Sequence, residues 1–157
     1  MLFRSDVAGE PRAELRVRSA SLHGTTVMPA DVPGAIYELP ILCVAAAFAT
    51  GDTAIQGAGE LRVKESDRIA ALEQLRLLGV EMKTSDDGLV IRGSGGRRLA
   101  GARVESHGDH RIAMAFGVAG LVAEGGVEVE GAECAEVSFP GFFAELASLG
   151  ARMEDVR

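Results

Sequence analysis

The chain has 157 residues, 47% of them hydrophobic and 25% charged, enough for one packed domain and incompatible with wholesale disorder. Sixteen Lys and Arg against 23 Asp and Glu leave a net charge of −7, which argues against a general nucleic-acid or membrane-surface binder, and 4% aromatic residues with no Trp argue against a base-stacking platform. Cys43 and Cys134 stand far apart with no Cys-x-x-Cys, so neither a disulfide framework nor a zinc signature is present and a reduced, cytoplasmic chain is expected.

The first residues, Met1-Leu-Phe-Arg-Ser-Asp-Val, lack the apolar run of a signal peptide. Over residues 13–22, Leu15 and Val17 alternate with Arg16 and Arg18, which predicts a strand. A turn-rich stretch with Pro29 and Pro33 follows. Residues 39–49 (LPILCVAAAFA) are far short of the roughly 20 needed to cross a bilayer, but they are apolar throughout and predict a helix buried on every side. A Gly51-Asp52 turn and a strand at 53–56 come next. Ile69, Leu72, Leu75 and Leu78 have the spacing of an amphipathic helix over 66–78, closed by Gly79. Residues 80–83 and 89–92 predict a hairpin around Asp87-Gly88. Beyond a polar loop holding Arg97 and Arg98, a strand at 102–105 leads to a second fully apolar helix over 112–123 (IAMAFGVAGLVA).

The pattern repeats. Thr53-Ala-Ile-Gln-Gly-Ala matches Val127-Glu-Val-Glu-Gly-Ala at an offset of 74, and Leu78-Gly79-Val80-Glu81-Met82 matches Leu149-Gly150-Ala151-Arg152-Met153 at 71. Each copy reads as buried helix, strand, amphipathic helix, strand: a βαβ-type unit unable to cover its own apolar faces. The expected fold is α/β or α+β, built from two units over about 13–96 and 97–157.

Two polar constellations open helices: Leu61-Arg-Val-Lys-Glu-Ser-Asp-Arg-Ile69 and Gly108-Asp-His-Arg-Ile112. A helix start presents unpaired N–H groups and the positive end of the dipole, so it favours an anion. Arg68 and Arg111 in such first turns oppose that dipole, a choice that makes sense if a phosphate or carboxylate completes the site. With a helix beginning at Glu65 or just before, Lys64 and Arg68 would point the same way and hold Glu65 in an electropositive pocket, where it can give or take a proton. Spacing alone leaves the plainer reading open: Ser66 as the helix cap with Asp67 complementing the dipole and Lys64, Glu65 and Arg68 a solvated entry, and Asp109 as an N-cap with surface neighbours. His23 and His107 read as structural loop residues, and Cys43 as a small core residue.

With both motifs assembled, the chain resembles the 5-enolpyruvylshikimate-3-phosphate synthase family. The match rests on Glu60-Leu-Arg-Val-Lys-Glu-Ser-Asp-Arg-Ile69, Asp109-His-Arg-Ile-Ala-Met114 and Ser138-Phe-Pro140, supported by Pro40-Ile-Leu-Cys-Val-Ala-Ala-Ala47 and Leu15-Arg-Val-Arg-Ser19. UDP-N-acetylglucosamine enolpyruvyl transferase shares the fold but lacks the Lys-Glu-Ser-Asp-Arg string. The resemblance implies the C-terminal portion of one inside-out α/β barrel domain, and transfer of the enolpyruvyl group of phosphoenolpyruvate to the 5-hydroxyl of shikimate 3-phosphate with release of phosphate. It implies no metal or organic cofactor, no nucleic-acid or membrane partner, and a usually monomeric enzyme. Lys64 would contact shikimate 3-phosphate near its reacting hydroxyl, and Glu65 would move protons at the methylene carbon of phosphoenolpyruvate. Arg68 and Arg111 would hold the phosphoenolpyruvate anion, with Asp109 and His110 shaping that pocket.

Two departures follow from the same resemblance. The family enzyme is longer and has two domains with substrates between them, so the chain reads as a fragment that needs its missing half. The alternative is a non-catalytic remnant that at most binds anions. At Ile36-Tyr37-Glu38-Leu39-Pro40, Tyr37 occupies the position where the family has a proton-accepting aspartate. A phenol is a poor base near neutrality, and losing a positioned base typically costs about 10²–10⁴-fold in rate. The repeat makes Tyr37 the counterpart of Arg111, so this position is expected to face the site.

Overall fold

The computed structural model describes residues 3–7, 10–14 and 16–154. It opens with an antiparallel pair, β1 (Phe3–Val7) and β2 (Glu10–Glu14). Of the strand predicted over 13–22, residues 13–14 end β2, but residues 16–22 carry no regular structure and Val17 is 80% exposed, while Leu15 lies outside the described residues. Alternation marks a strand only when one face has something apolar to cover, and Val17 has nothing.

A short β3 (Thr26–Val27) and the single turn α1 (Val32–Ala35) lead into α2 (Leu39–Phe48), whose Pro40 sits in the first turn, where its missing N–H costs nothing. β4 (Asp52–Gln56) then returns parallel to β3. A 3₁₀ turn at Gly59–Val63 precedes α3 (Arg68–Leu72), which tightens into a second 3₁₀ segment, Glu73–Leu78. Gly79 ends it at φ +86°, a left-handed conformation that suits glycine. β5 (Glu81–Ser85) and β6 (Gly88–Arg92) complete a sheet in the order β3-β4-β6-β5, with β6 antiparallel to both neighbours.

The hairpin turn is Asp86-Asp87, one position earlier than predicted. Gly88 belongs to the strand instead: a Cβ there would lie 2.3 Å from the Ile55 carbonyl oxygen, so the glycine serves the β4–β6 pairing.

The second run repeats strand, helix, parallel strand: β7 (Ala100–Glu105), α4 (His110–Gly120) and β8 (Glu124–Glu130), with Ala102 opposite Val127. A 3₁₀ segment, Ala132–Val137, and α5 (Phe142–Ser148) follow. The strand expected after this helix is absent through Glu154 among the described residues.

α2 and α4 pack against each other, α2 also against β6 and α4 against β7 and β8. Leu39, Cys43, Ala47, Ile112 and Phe116 are fully buried there, beside the stripe Ile69, Leu72, Leu75 and Leu78. Each such large side chain contributes about 1.5–3 kcal/mol by leaving water. Neither apolar helix is buried all round, as the run of apolar letters suggested. Ile41 on α2 is 39% exposed, and α4 stops at Gly120, leaving Leu121 and Val122 half exposed, because no sheet or helix of the described chain covers those sides. No helix among the described residues is long and apolar enough to cross a membrane.

Candidate active site

α3 begins at Arg68, later than the start at Glu65 that the sequence suggested. Its cap is Asp67, which accepts the Ala70 N–H at 3.0 Å. Lys64 and Glu65 therefore belong to the turn before the helix, and Lys64 and Arg68 do not share a helix face. Arg62 anchors this turn, donating to Asp67 at 2.7 Å and to the Ser85 and Asp86 carbonyls of the β5–β6 hairpin. Burial alone would raise the Asp67 carboxyl, but the Ala70 N–H and the Arg62 guanidinium outweigh it and hold the group below its ordinary 3.8.

The second constellation joins the first through Asp109. Its carboxylate caps α4 by accepting the Arg111 N–H at 2.9 Å and the Ile112 N–H at 3.4 Å. The same buried group accepts Arg68 Nε at 2.7 Å and Nη2 at 3.3 Å, together with the Ser66 hydroxyl at 3.0 Å. Burial pushes its pKa up, yet Arg68, the Arg111 N–H and Ser66 more than reverse that, so Asp109 stays ionised below the ordinary carboxylate range. The fully buried Arg68 also binds Glu65 at 2.6 Å, while its third nitrogen, Nη1, is buried without a partner among the described residues. A buried donor left unpaired costs free energy, so Nη1 is a natural place for a ligand oxygen.

Tyr37, in the turn before α2, lies beside both motifs. Arg111 donates from Nη1 to the Tyr37 carbonyl at 2.9 Å, and its guanidinium carbon sits 4.6 Å from the centre of the Tyr37 ring. Lys64 Nζ lies 5.5 Å from the same ring and is ion-paired with Glu60, which holds its pKa above the usual 10.5 against the opposing pull of burial. The His110 ring makes no hydrogen bond or ion pair among the described residues; it stands half-buried at the first position of α4. His23 contributes a backbone bridge to Thr50, and His107 turns through φ +54° near Glu105; neither bonds to the cluster.

Lys64, Glu65, Arg68, Asp109, Arg111 and Tyr37 thus form one network. Sequence reasoning missed its joint. Nothing local ties Ser66 and Arg68 to Asp109 more than 40 residues on, whereas the Glu60–Lys64 pair was readable from its four-residue spacing. The arrangement sets the partly exposed cations Lys64 and Arg111 beside a half-exposed carboxylate, Glu65, with the Arg68 guanidinium buried behind them. Two shallow concavities among the described residues lie apart from it, one along β4, β5 and β6 and one beside Phe48, Arg97 and Leu121.

Comparison of folds sets the class first. The enolpyruvyl transferase NikO from Streptomyces tendae superposes on 96% of this chain and 33% of its own with a TM-score of 0.61 at 22% identity, so the chain has the enolpyruvyl-transferase fold. A solved EPSP synthase from Acinetobacter baumannii reaches a TM-score of 0.89 at 40% identity over 96% of this chain and 36% of that one. The model of the EPSP synthase (3-phosphoshikimate 1-carboxyvinyltransferase) family matches residues 4–146, and the chain belongs to that family.

Among curated relatives, the 3-phosphoshikimate 1-carboxyvinyltransferase of Desulforudis audaxviator is 53% identical over 90% of this chain and 33% of its own length. The Halorhodospira halophila enzyme is 52% identical over 98% of this chain and 34% of its own. The chain spans about a third of the length of the relatives it matches.

Proposed function

We propose that this chain supplies the phosphoenolpyruvate-holding part of a 3-phosphoshikimate 1-carboxyvinyltransferase and needs a facing remainder to complete the reaction. The observation that carries this reading is the linkage of both motifs through Arg68 and Asp109, with Arg68 Nη1 unpartnered among the described residues. Arg68 and Arg111 bind the carboxylate and phosphate of phosphoenolpyruvate, aligned by Asp109, and His110 borders the pocket. Lys64 exchanges Glu60 for shikimate 3-phosphate near its 5-hydroxyl.

As that hydroxyl adds to the central carbon of phosphoenolpyruvate, Glu65 delivers a proton to the methylene carbon, giving a tetrahedral intermediate. Cleavage of the bond to the phosphate oxygen and return of a methyl proton to Glu65 then form the enol ether and release phosphate. Arg68, 2.6 Å from Glu65, ties the proton carrier to the anion holder. We place this chemistry in the cytoplasm, without nucleic acid, membrane or cofactor, in a monomeric assembly.

The base for the 5-hydroxyl proton is the weak point, because position 37 offers a phenol. That observation favours a second reading, a non-catalytic anion binder. Phosphate release from both substrates, measured with and without an added segment equivalent to the rest of a relative, separates the two. Release only in the mixture supports the first reading, and turnover by the chain alone contradicts the need for a remainder. No release in either supports the second. In an active mixture, Arg111→Ala should weaken phosphoenolpyruvate use by ~2–5 kcal/mol; unchanged kinetics would remove Arg111 from the site.

A further inference from the structure

Of the three site cations, Lys64 is paired with Glu60, and Arg68 with Glu65 and Asp109. Arg111 differs. Among the described residues it takes part in no ion pair, and its Nε is buried without a partner. What orders it is Tyr37: the backbone carbonyl takes Nη1 at 2.9 Å, and the ring lies under the guanidinium at 4.6 Å. A π face attracts a cation without neutralising it, whereas a carboxylate at the same place would both fix the guanidinium and cancel its charge.

We infer that Tyr37 is a positioning residue for anion capture, a neutral support that aligns Arg111 while leaving its positive charge available to a dianionic phosphate ester. The inference rests on the anion-site reading above and adds to it a division of labour. Three carboxylates hold the Lys64 and Arg68 side chains in place, and one aromatic ring holds Arg111 uncompensated. Lys64 Nζ lies 5.5 Å from the centre of the same ring.

The test is titration of the 157-residue chain with inorganic phosphate, followed by NMR, for the native protein and Tyr37→Phe, Tyr37→Asn, Tyr37→Asp and Arg111→Ala. Tyr37 is 47% exposed, so these changes leave the packed core untouched. Tyr37→Phe keeps the π face and should bind phosphate within about twofold of the native chain, while Tyr37→Asn, without a ring, should bind about three- to tenfold more weakly. Tyr37→Asp, the same size as Asn but charged, should be weaker again by about tenfold. Equal affinities for the Asp and Asn variants, or a Phe variant as weak as Asn, would overturn the role assigned to Tyr37 while leaving the anion site standing. No phosphate binding by the native chain, or binding that Arg111→Ala does not change, would overturn the site reading and this inference together.

Discussion

α3 with its 3₁₀ continuation and α5 each follow a parallel strand–helix–strand unit, yet they meet opposite fates. Ile69, Leu72, Leu75 and Leu78 are at most 1% exposed, whereas α5 has no buried residue and Leu149, just beyond it, is 81% exposed. The first helix lies against a four-stranded sheet and the neighbouring β7; the second follows a two-stranded sheet that no hairpin among the described residues extends. Similar spacing therefore gives burial only where another layer stands opposite. α5 touches the rest of the molecule through its aromatic rings. Phe143 packs over Gly117, where a Cβ would approach the ring to 2.7 Å.

The contrast can be broken most forcefully at the link between the two runs. Arg68→Ala strands a buried carboxylate that also caps α4, and should lower unfolding free energy by ~3–5 kcal/mol in urea denaturation. A loss under ~1 kcal/mol would mean the two runs are held together by apolar packing alone. Leu75→Ala, in the covered stripe, should cost ~2–5 kcal/mol. Leu149→Ala should change stability by no more than ~0.5 kcal/mol. Similar costs for the two leucines would erase the distinction between the helices.

A smaller effect sharpens the same link. Asp109 has a folded pKa below its ordinary 3.8, so it binds protons less readily when folded. Its contribution is complete above the unfolded value and is lost as pH falls from there through the folded pKa. Stability curves of the native chain and Asp109→Asn should converge over that acid range and run parallel above about pH 6, well clear of the carboxylate range. Curves that stay parallel down into the acid range would remove the Asp109 contribution.

The mildest probe is thiol reactivity. Burial pushes the Cys43 thiol up to about 12, while Cys134 is half-buried in the 3₁₀ segment before α5. Mass spectrometry after alkylation at neutral pH should find Cys134 modified and Cys43 protected until the chain unfolds.

Much of this was legible in the residues. Runs of small apolar residues marked α2 and α4, the Ile69-Leu72-Leu75-Leu78 spacing marked the covered stripe, and Gly79 marked its end. The two charged motifs named the side chains that meet at the site. The misreadings were local ones of phase and coverage. α3 starts at Arg68 because Asp67, not Ser66, turns its carboxylate onto the Ala70 N–H, which frees the Ser66 hydroxyl for Asp109. The alternation around Val17 found no partner surface, and Ile41 on α2 and Leu121 just beyond α4 lie where no described element meets them.

By itself the sequence determined where α2, α4, β4 and the β5–β6 hairpin lie and which side chains could meet an anion, because hydrophobic period, capping and charge act over a few residues. Only the tertiary structure decided that Asp109 binds Arg68 across more than 40 residues, that Tyr37 lies beneath Arg111, and that α3 is covered while α5 is not. Such contacts depend on which surfaces the chain brings face to face, and no short-range pattern encodes that.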